Sequence, residues 1–77
     1  MNQENNSAPS IMGIDSQELR MIELIAEGLT YNEISEELNV KPSKVEKIRK
    51  NLIIKTKTKN APSLVSFAYK YGLLKVK

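Results

Sequence analysis

Residues 30–52 constrain the fold most, because they carry the start and stop signals of two short consecutive helices. Thr30 followed three residues later by Glu33 predicts a capping box, in which each side chain accepts a hydrogen bond from an otherwise free backbone N–H group. Asn39 suits the left-handed position just past a helix end, and Pro42 suits the first turn of the next helix. Two short helices joined by about three or four residues form a helix-turn-helix.

The second of these helices, predicted over about residues 42–55, has one apolar side and one polar side. Val45, Ile48 and Leu52 recur at helical spacing and form the inward stripe. The opposite side carries Ser43, Lys47, Lys50 and Ile54, with Lys44 and Glu46 on its flanks. A helix with an apolar back and a front of lysine and serine fits the major groove of DNA. The alternative is a solvated helix face, which is the commoner role of lysine-rich faces.

The net charge is only +3, but the charges are unevenly distributed along the 77 residues. Residues 1–40 hold one basic and eight acidic residues, a net charge of −7. Residues 41–77 hold eleven basic residues and one acidic residue, a net charge of +10. A basic half of this kind favours a polyanion as partner, and it begins where the second helix of the pair begins.

The chain has neither cysteine nor histidine. It therefore lacks thiolate metal ligands, the commonest zinc ligand and the commonest general base. Because a glycine-rich phosphate loop is also missing, we expect no enzymatic activity, no catalytic residues, no metal site and no cofactor. No apolar run approaches the ~20 residues that span a bilayer, and no signal peptide is present, so we expect a cytoplasmic protein without membrane contact.

One further helix is predicted on either side of the pair. Asp15 and Glu18 form a capping box for the first helix, and Gly28 ends it. We expect the acidic residues of that helix, Glu18 included, to lie off its apolar stripe. Asn60 caps the last helix.

Three local patterns leave alternatives open. Ser43 with Glu46 offers a competing capping box, which would start the helix one residue later. A lysine at every second position of residues 55–59 favours a phosphate clamp beside the groove, with a solvated connector as the alternative. Phe67 and Tyr69 are either core residues or part of a self-association surface.

These residues together resemble the LuxR-type (GerE-like) helix-turn-helix domain, which is found in response regulators of the NarL and FixJ kind. The resemblance covers residues 15–74 and is carried by residues 24–30, 33–38, 45–46, 49, 51, 59–60, 64–65, 68 and 72–74. It implies an all-α domain of four helices, in which the third helix enters the major groove and the fourth contributes to dimerisation. Tyr31 and Asn32 depart from the pattern, because they replace a frequent Asn-Lys pair and remove a phosphate-binding lysine.

The charge pattern and the resemblance together indicate the residues of the site. The residues predicted to bind DNA are Ser43, Lys44, Glu46, Lys47, Arg49, Lys50, Asn51, Lys57 and Lys59, and those predicted to form a dimer are Val65, Phe67, Ala68 and Tyr69. Glu46 matches a base-contacting position of the family and would accept a hydrogen bond from a cytosine amine. Arg49 would bind phosphate or form an internal ion pair.

We therefore predict a four-helix LuxR-type domain over residues 14–74, between a disordered tail or linker at 1–13 and a C-terminal tail at 75–77. The predicted function is sequence-specific binding of double-stranded DNA, as a homodimer, by a nucleoid-associated bacterial transcription regulator. The rival is a module that binds a partner regulator or RNA polymerase through the acidic half. We expect Glu33, Glu36 and Glu37 to face away from DNA or to pair with the basic half.

Overall fold

The computed structural model describes residues 13–75, which form four α-helices and contain no β-strand. The helices are α1 (Ser16–Ala26), α2 (Tyr31–Leu38), α3 (Pro42–Thr56) and α4 (Ala61–Lys70). The predicted all-α, four-helix architecture is confirmed. The tail predicted over residues 1–13 lies outside the described residues except for Gly13, and the C-terminal tail does so except for Lys75. The domain limits at residues 14 and 74 stay a prediction.

Three of the helices begin at the capping residues that the sequence predicts. Asp15 and Glu18 exchange hydrogen bonds between side chain and backbone at 2.8 and 3.0 Å. Thr30 and Glu33 do the same at 3.2 and 2.8 Å. The side-chain oxygen of Asn60 accepts a backbone N–H in the first turn of α4. Each capping box satisfies N–H groups that the helix itself leaves free, so these side chains define where the helices start.

The turn between α2 and α3 also follows the prediction. Asn39 adopts the left-handed conformation with φ of 57°. The next N–H group, that of Val40, donates to the carbonyl of Ser35 at 3.0 Å, and the Val40 side chain packs against the core. Pro42 then occupies the first turn of α3. This closed turn fixes the angle at which α3 leaves α2.

The competing start of α3 at Ser43 is wrong. A residue that precedes proline is restricted to extended backbone, and Lys41 accordingly has φ of −74° and ψ of 151° as the N-cap. Ser43 is already helical and does not cap the helix. The Glu46 carboxylate that would complete the competing box binds Arg49 instead.

The lysine tract of residues 55–59 begins inside α3, which ends one residue later than predicted, at Thr56. Lys55 and Thr56 form its last turn, and Lys57 follows as a left-handed cap with φ of 55°. Thr56 is buried, and its hydroxyl donates to the carbonyl of Leu52 at 2.7 Å. Because a threonine hydroxyl can bond back to the preceding turn, a polar residue is accommodated on the inward side of the helix.

One cluster of buried apolar side chains joins all four helices. Its members are Ile14, Met21, Ile22, Leu24, Ile34, Val45, Ile48, Leu52, Leu64 and Ala68. The predicted inward stripe of α3 is thereby confirmed. At the other end of the domain, the N–H groups of Leu73 and Leu74 donate to the carbonyl of Ala68 at 2.8 and 3.1 Å, and both leucines pack against the cluster. Because α3 buries the side that carries Val45, Ile48 and Leu52, its opposite side faces solvent.

Glu18 is buried, with 5% of its surface exposed, so the expectation that it lies off the apolar stripe is wrong. The Lys55 ammonium group donates to both of its carboxylate oxygens, at 2.7 and 2.8 Å, and to the carbonyl of Gly13 at 2.9 Å. Glu18 and Lys55 are 37 residues apart in sequence. The pair therefore ties the start of α1 to the end of α3.

Replacing Lys55 is expected to leave the buried Glu18 carboxylate without its countercharge. We predict that Lys55→Ala lowers the free energy of unfolding by about 2 kcal/mol, which is less than the about 3–5 kcal/mol typical of fully buried pairs. The reduction reflects solvent screening, because the Lys55 side chain is 34% exposed.

Urea denaturation followed by circular dichroism measures this difference. Lys44→Ala is the matched control, because Lys44 is an exposed residue of the same helix, and its change is expected to stay within about 0.5 kcal/mol. Equal stabilities of the two variants would contradict a structural role for the Glu18–Lys55 pair.

Candidate nucleic-acid interface

The side of α3 that faces away from the core carries most of the residues predicted to bind DNA. Five of them are exposed along it: Ser43, Lys44, Lys47, Lys50 and Asn51. Ile54 continues the row and is 73% exposed, which is unusually open for an isoleucine. The arrangement follows from the helical period, because burying Val45, Ile48 and Leu52 turns the intervening polar residues outward.

Two further lysines lie just beyond the end of α3. Lys57 is the left-handed cap of the helix and Lys59 precedes the N-cap of α4, and both are exposed. Lys55, the third lysine of the alternating tract, binds Glu18 instead. The predicted clamp of alternating lysines is therefore reduced to Lys57 and Lys59.

Glu46 and Arg49, both predicted to bind DNA, are joined to each other. The Nη2 atom of Arg49 lies 2.5 Å from Oε2 of Glu46, and its Nε atom donates to Oε1 at 3.4 Å. The guanidinium carbon of Arg49 also lies 5.9 Å from the centroid of the Tyr31 ring, within the range of a cation–π interaction. Of the two roles expected for Arg49, the structure therefore contains the internal ion pair.

The ion pair favours the charged form of both residues, so it shifts their pKa values in opposite directions. The hydrogen bond from Arg49 is the main cause that lowers the pKa of the Glu46 carboxyl below its ordinary value of 4.5, and the charge of Lys50 adds a smaller effect in the same direction. The hydrogen bond to Glu46 in turn raises the pKa of Arg49. Glu46 is therefore ionised at neutral pH, and its charge is compensated within α3.

Removing the guanidinium is expected to raise the pKa of Glu46 toward its ordinary value. We predict that Arg49→Gln causes a clear rise, measured by NMR titration of the Glu46 carboxyl carbon. Because the folded-state pKa is the lowered one, the pair stabilises the folded protein above the unfolded-state pKa, and this contribution is lost as the pH falls through the folded-state pKa.

Lys50→Gln is the matched control for this titration, because it removes the same charge without touching the hydrogen bond. Its effect on the pKa of Glu46 is expected to be smaller, since the charge of Lys50 contributes least to the shift. Equal rises in the two variants would show that the hydrogen bond from Arg49 is not the main cause.

The three acidic residues of α2, Glu33, Glu36 and Glu37, are exposed, and Glu33 and Glu37 have partners outside the basic half. Glu33 caps the backbone N–H of Thr30, and Glu37 lies 3.7 Å from the guanidinium of Arg20 on α1. Arg20 also binds Glu23 at 3.1 Å. Since Arg20 is the single basic residue of residues 1–40, the acidic half compensates part of its charge internally.

The residues predicted to form a dimer do not share one surface. Ala68 is fully buried in the core, so its side chain is not available for contact with a second copy of the protein. Val65 is half-buried and Tyr69 is 44% exposed, and they are four residues apart on one side of α4. Phe67 is half-buried on another side, where its ring lies 4.6 Å from that of Tyr71.

Two features near these sites are not predictable from the sequence pattern. One is the contact of Tyr31 with Arg49, which joins α2 to α3. The other is an open cleft of about 720 Å³ between the end of α1 and the segment after α4, lined in part by Glu23, Glu27, Tyr69 and Leu73. Neither leaves a signal in the periodicity of a single helix, because each depends on how two elements pack.

Within residues 13–75, no helix is both long enough and apolar enough to cross a membrane. The same part of the chain contains no group of three or more acidic, histidine or cysteine side chains arranged to hold a metal ion.

The four helices, with an exposed lysine-bearing third helix, define a helix-turn-helix domain. The profile of the family described as bacterial regulatory proteins, luxR family (GerE), matches residues 15–68, which include α1, α2, α3 and most of α4. The chain belongs to this LuxR family, whose shared domain is a DNA-binding domain of transcription regulators and not an enzyme. Comparisons with curated proteins and with solved structures gave no match.

Proposed function

We propose that this protein binds specific DNA sequences as a bacterial transcription regulator, with α3 in the major groove. The observation that carries the proposal is the exposed row of Ser43, Lys47 and Lys50 on α3, directly opposite the buried stripe. The single acidic residue of α3, Glu46, is compensated by Arg49 and so presents little net repulsion to phosphates. Such a regulator acts in the cytoplasm, at the nucleoid.

The length of α3 separates base contacts from phosphate contacts. Its 15 residues extend about 22 Å, whereas the major groove is about 12 Å wide. Residues in the middle of the exposed row, Lys47 and Lys50, therefore face base edges, with Glu46 beside them as an acceptor for a cytosine amine. Lys44, Lys57 and Lys59, near or beyond the helix ends, face the phosphate backbone, which positions the protein without selecting a sequence.

Duplex DNA binding that weakens steeply with salt is the expected result. We predict a non-specific Kd of roughly 10⁻⁴–10⁻⁶ M at physiological salt, measured by fluorescence anisotropy. Replacing both Lys44 and Lys57 by alanine should weaken binding and reduce the slope of log K against log salt by up to about two, because each lysine that neutralises a phosphate releases counterions.

The matched control replaces Lys70 and Lys75, which lie on α4 and after it, by alanine. The two double variants have the same net charge, so only the position of the lost charges differs. Equal losses in both would show that binding follows net charge alone and not the exposed side of α3. Folded wild-type protein that binds no duplex at low salt would favour a protein-interaction module instead.

Two copies are proposed to pair on adjacent half-sites of DNA through the side of α4 that carries Val65 and Tyr69. Tyr69 is exposed and also lines the cleft at the end of α1, so apolar surface continues from α4 toward Leu73 and Leu74. The available surface is short, and interfaces that are stable in isolation bury about 1,200–2,000 Å². We therefore expect the free domain to be mainly monomeric.

Tyr69→Ala is expected to weaken binding to a duplex with two half-sites and to leave binding to a single half-site unchanged. Tyr71→Ala is the matched control, because Tyr71 is an exposed tyrosine whose ring faces Phe67 on another side of α4. Sedimentation velocity measures the state of the free protein. A tight dimer at micromolar concentration without DNA, or equal effects of the two substitutions, would contradict pairing on DNA through this side of α4.

A further inference from the structure

The first residue of α2 lies against the ion pair of α3. Tyr31 directly follows the N-cap Thr30, and the capping box with Glu33 fixes the backbone at this point. The Tyr31 ring is 39% exposed, and the guanidinium carbon of Arg49 lies 5.9 Å from its centroid. The ring is therefore presented to Arg49 from a backbone position that the start of α2 holds in place.

Arg49 connects this ring to Glu46. Its side chain is only 22% exposed, and two of its N–H groups donate to the two oxygens of the Glu46 carboxylate. A planar guanidinium can stack on an aromatic face and bind a carboxylate in a bidentate manner at the same time, which an ammonium group cannot do. Arg49 is therefore suited to transmit the position of Tyr31 to Glu46.

The pair needs such support to stay formed. Ion pairs between residues three or four apart on a helix surface are weak, because both side chains lose rotamer freedom and salt screens their attraction. A cation–π contact at a partly exposed position adds a further attraction. The Tyr31 ring therefore helps to keep Arg49 beside Glu46.

Glu46 retains the capacity to accept a further hydrogen bond. Its side chain is 38% exposed, and a carboxylate has roughly four acceptor positions, of which Arg49 occupies two. Held in this way, the carboxylate is oriented and its charge is compensated. Without Arg49 it would sample several rotamers and repel nearby phosphates.

We propose that Tyr31 is a positioning residue for the base preference of the domain, an inference that rests on the proposed function. Tyr31 holds Arg49 against Glu46 and thereby orients the Glu46 carboxylate toward a base edge. Tyr31 itself contacts no base in this arrangement. Loss of its aromatic face therefore alters which sequence is preferred while leaving the phosphate-binding lysines in place.

The experiment compares sequence preference across matched variants. Wild-type protein first selects its preferred duplex from a random library, and Glu46→Ala then identifies the base pair at which preference depends on Glu46. At that base pair, Tyr31→Leu should lower the ratio of Kd values between the substituted and the selected duplex by about fivefold or more. Tyr31→Phe keeps the aromatic face and should stay within about twofold of wild type.

A double-mutant cycle distinguishes positioning from a general structural effect. Adding Tyr31→Leu to Glu46→Ala should produce no further loss of preference, because Tyr31 acts through Glu46. Binding to a scrambled duplex should stay within about twofold throughout the Tyr31 series. Arg49→Lys, which keeps the charge but not the bidentate geometry, should reproduce the loss caused by Tyr31→Leu. NMR titration without DNA should show a raised Glu46 pKa in Tyr31→Leu.

The proposal is overturned if Tyr31→Leu keeps the wild-type ratio, if it lowers preference equally in the Glu46→Ala background, or if Glu46→Ala relaxes no base pair. It is overturned as well if Tyr31→Phe behaves like Tyr31→Leu, since the aromatic face is then not the cause. Wild-type protein that selects no duplex removes the proposed function and this inference with it. That outcome appears in the first step, before any variant is measured.

Discussion

The orientation of α3 depends on the burial of its apolar stripe. Val45, Ile48 and Leu52 are between 0 and 4% exposed, and burying each contributes roughly 1.5–3 kcal/mol. These are large amounts for a small domain, whose total stability is about 5–15 kcal/mol. The ion pair between Glu18 and Lys55 then fixes the far end of the helix against α1. With one side and one end held, α3 has a single orientation, and its polar row faces solvent.

The same packing separates the charges of the chain in space. Arg20, the one basic residue among residues 1–40, pairs with Glu23 and Glu37. Its guanidinium therefore compensates part of the negative charge of α1 and α2. The lysine-rich exposed side of α3 carries one acid, Glu46, which Arg49 compensates. A domain of small net charge thereby presents a basic surface on one element, which is the condition for steering toward a polyanion.

Features that depend on neighbours in sequence were predicted well, and features that depend on packing were not. The capping residues Asp15, Thr30 and Asn60 satisfy N–H groups within the next three residues, so their spacing alone identifies them. The burial of Glu18 was missed because its partner lies 37 residues away. The burial of Ala68 depends likewise on packing, because its side chain belongs to the core cluster to which all four helices contribute. The exposed row of α3 was predictable because it is the geometric complement of a regular stripe.

If Glu46 contacts a base as proposed, the link from Tyr31 through Arg49 to Glu46 gives α2 a part in recognition that goes beyond support of α3. An isolated surface ion pair is too weak to hold one rotamer, so the orientation of Glu46 depends on what packs against its partner. In this chain that element is the aromatic ring of Tyr31, which lies within cation–π range of Arg49. Under the proposed arrangement, a substitution in α2 alters sequence preference while every residue in the groove stays the same. Preference can then diverge between related domains whose third helices are identical, because it depends on the packing between two helices as well as on the exposed side of one.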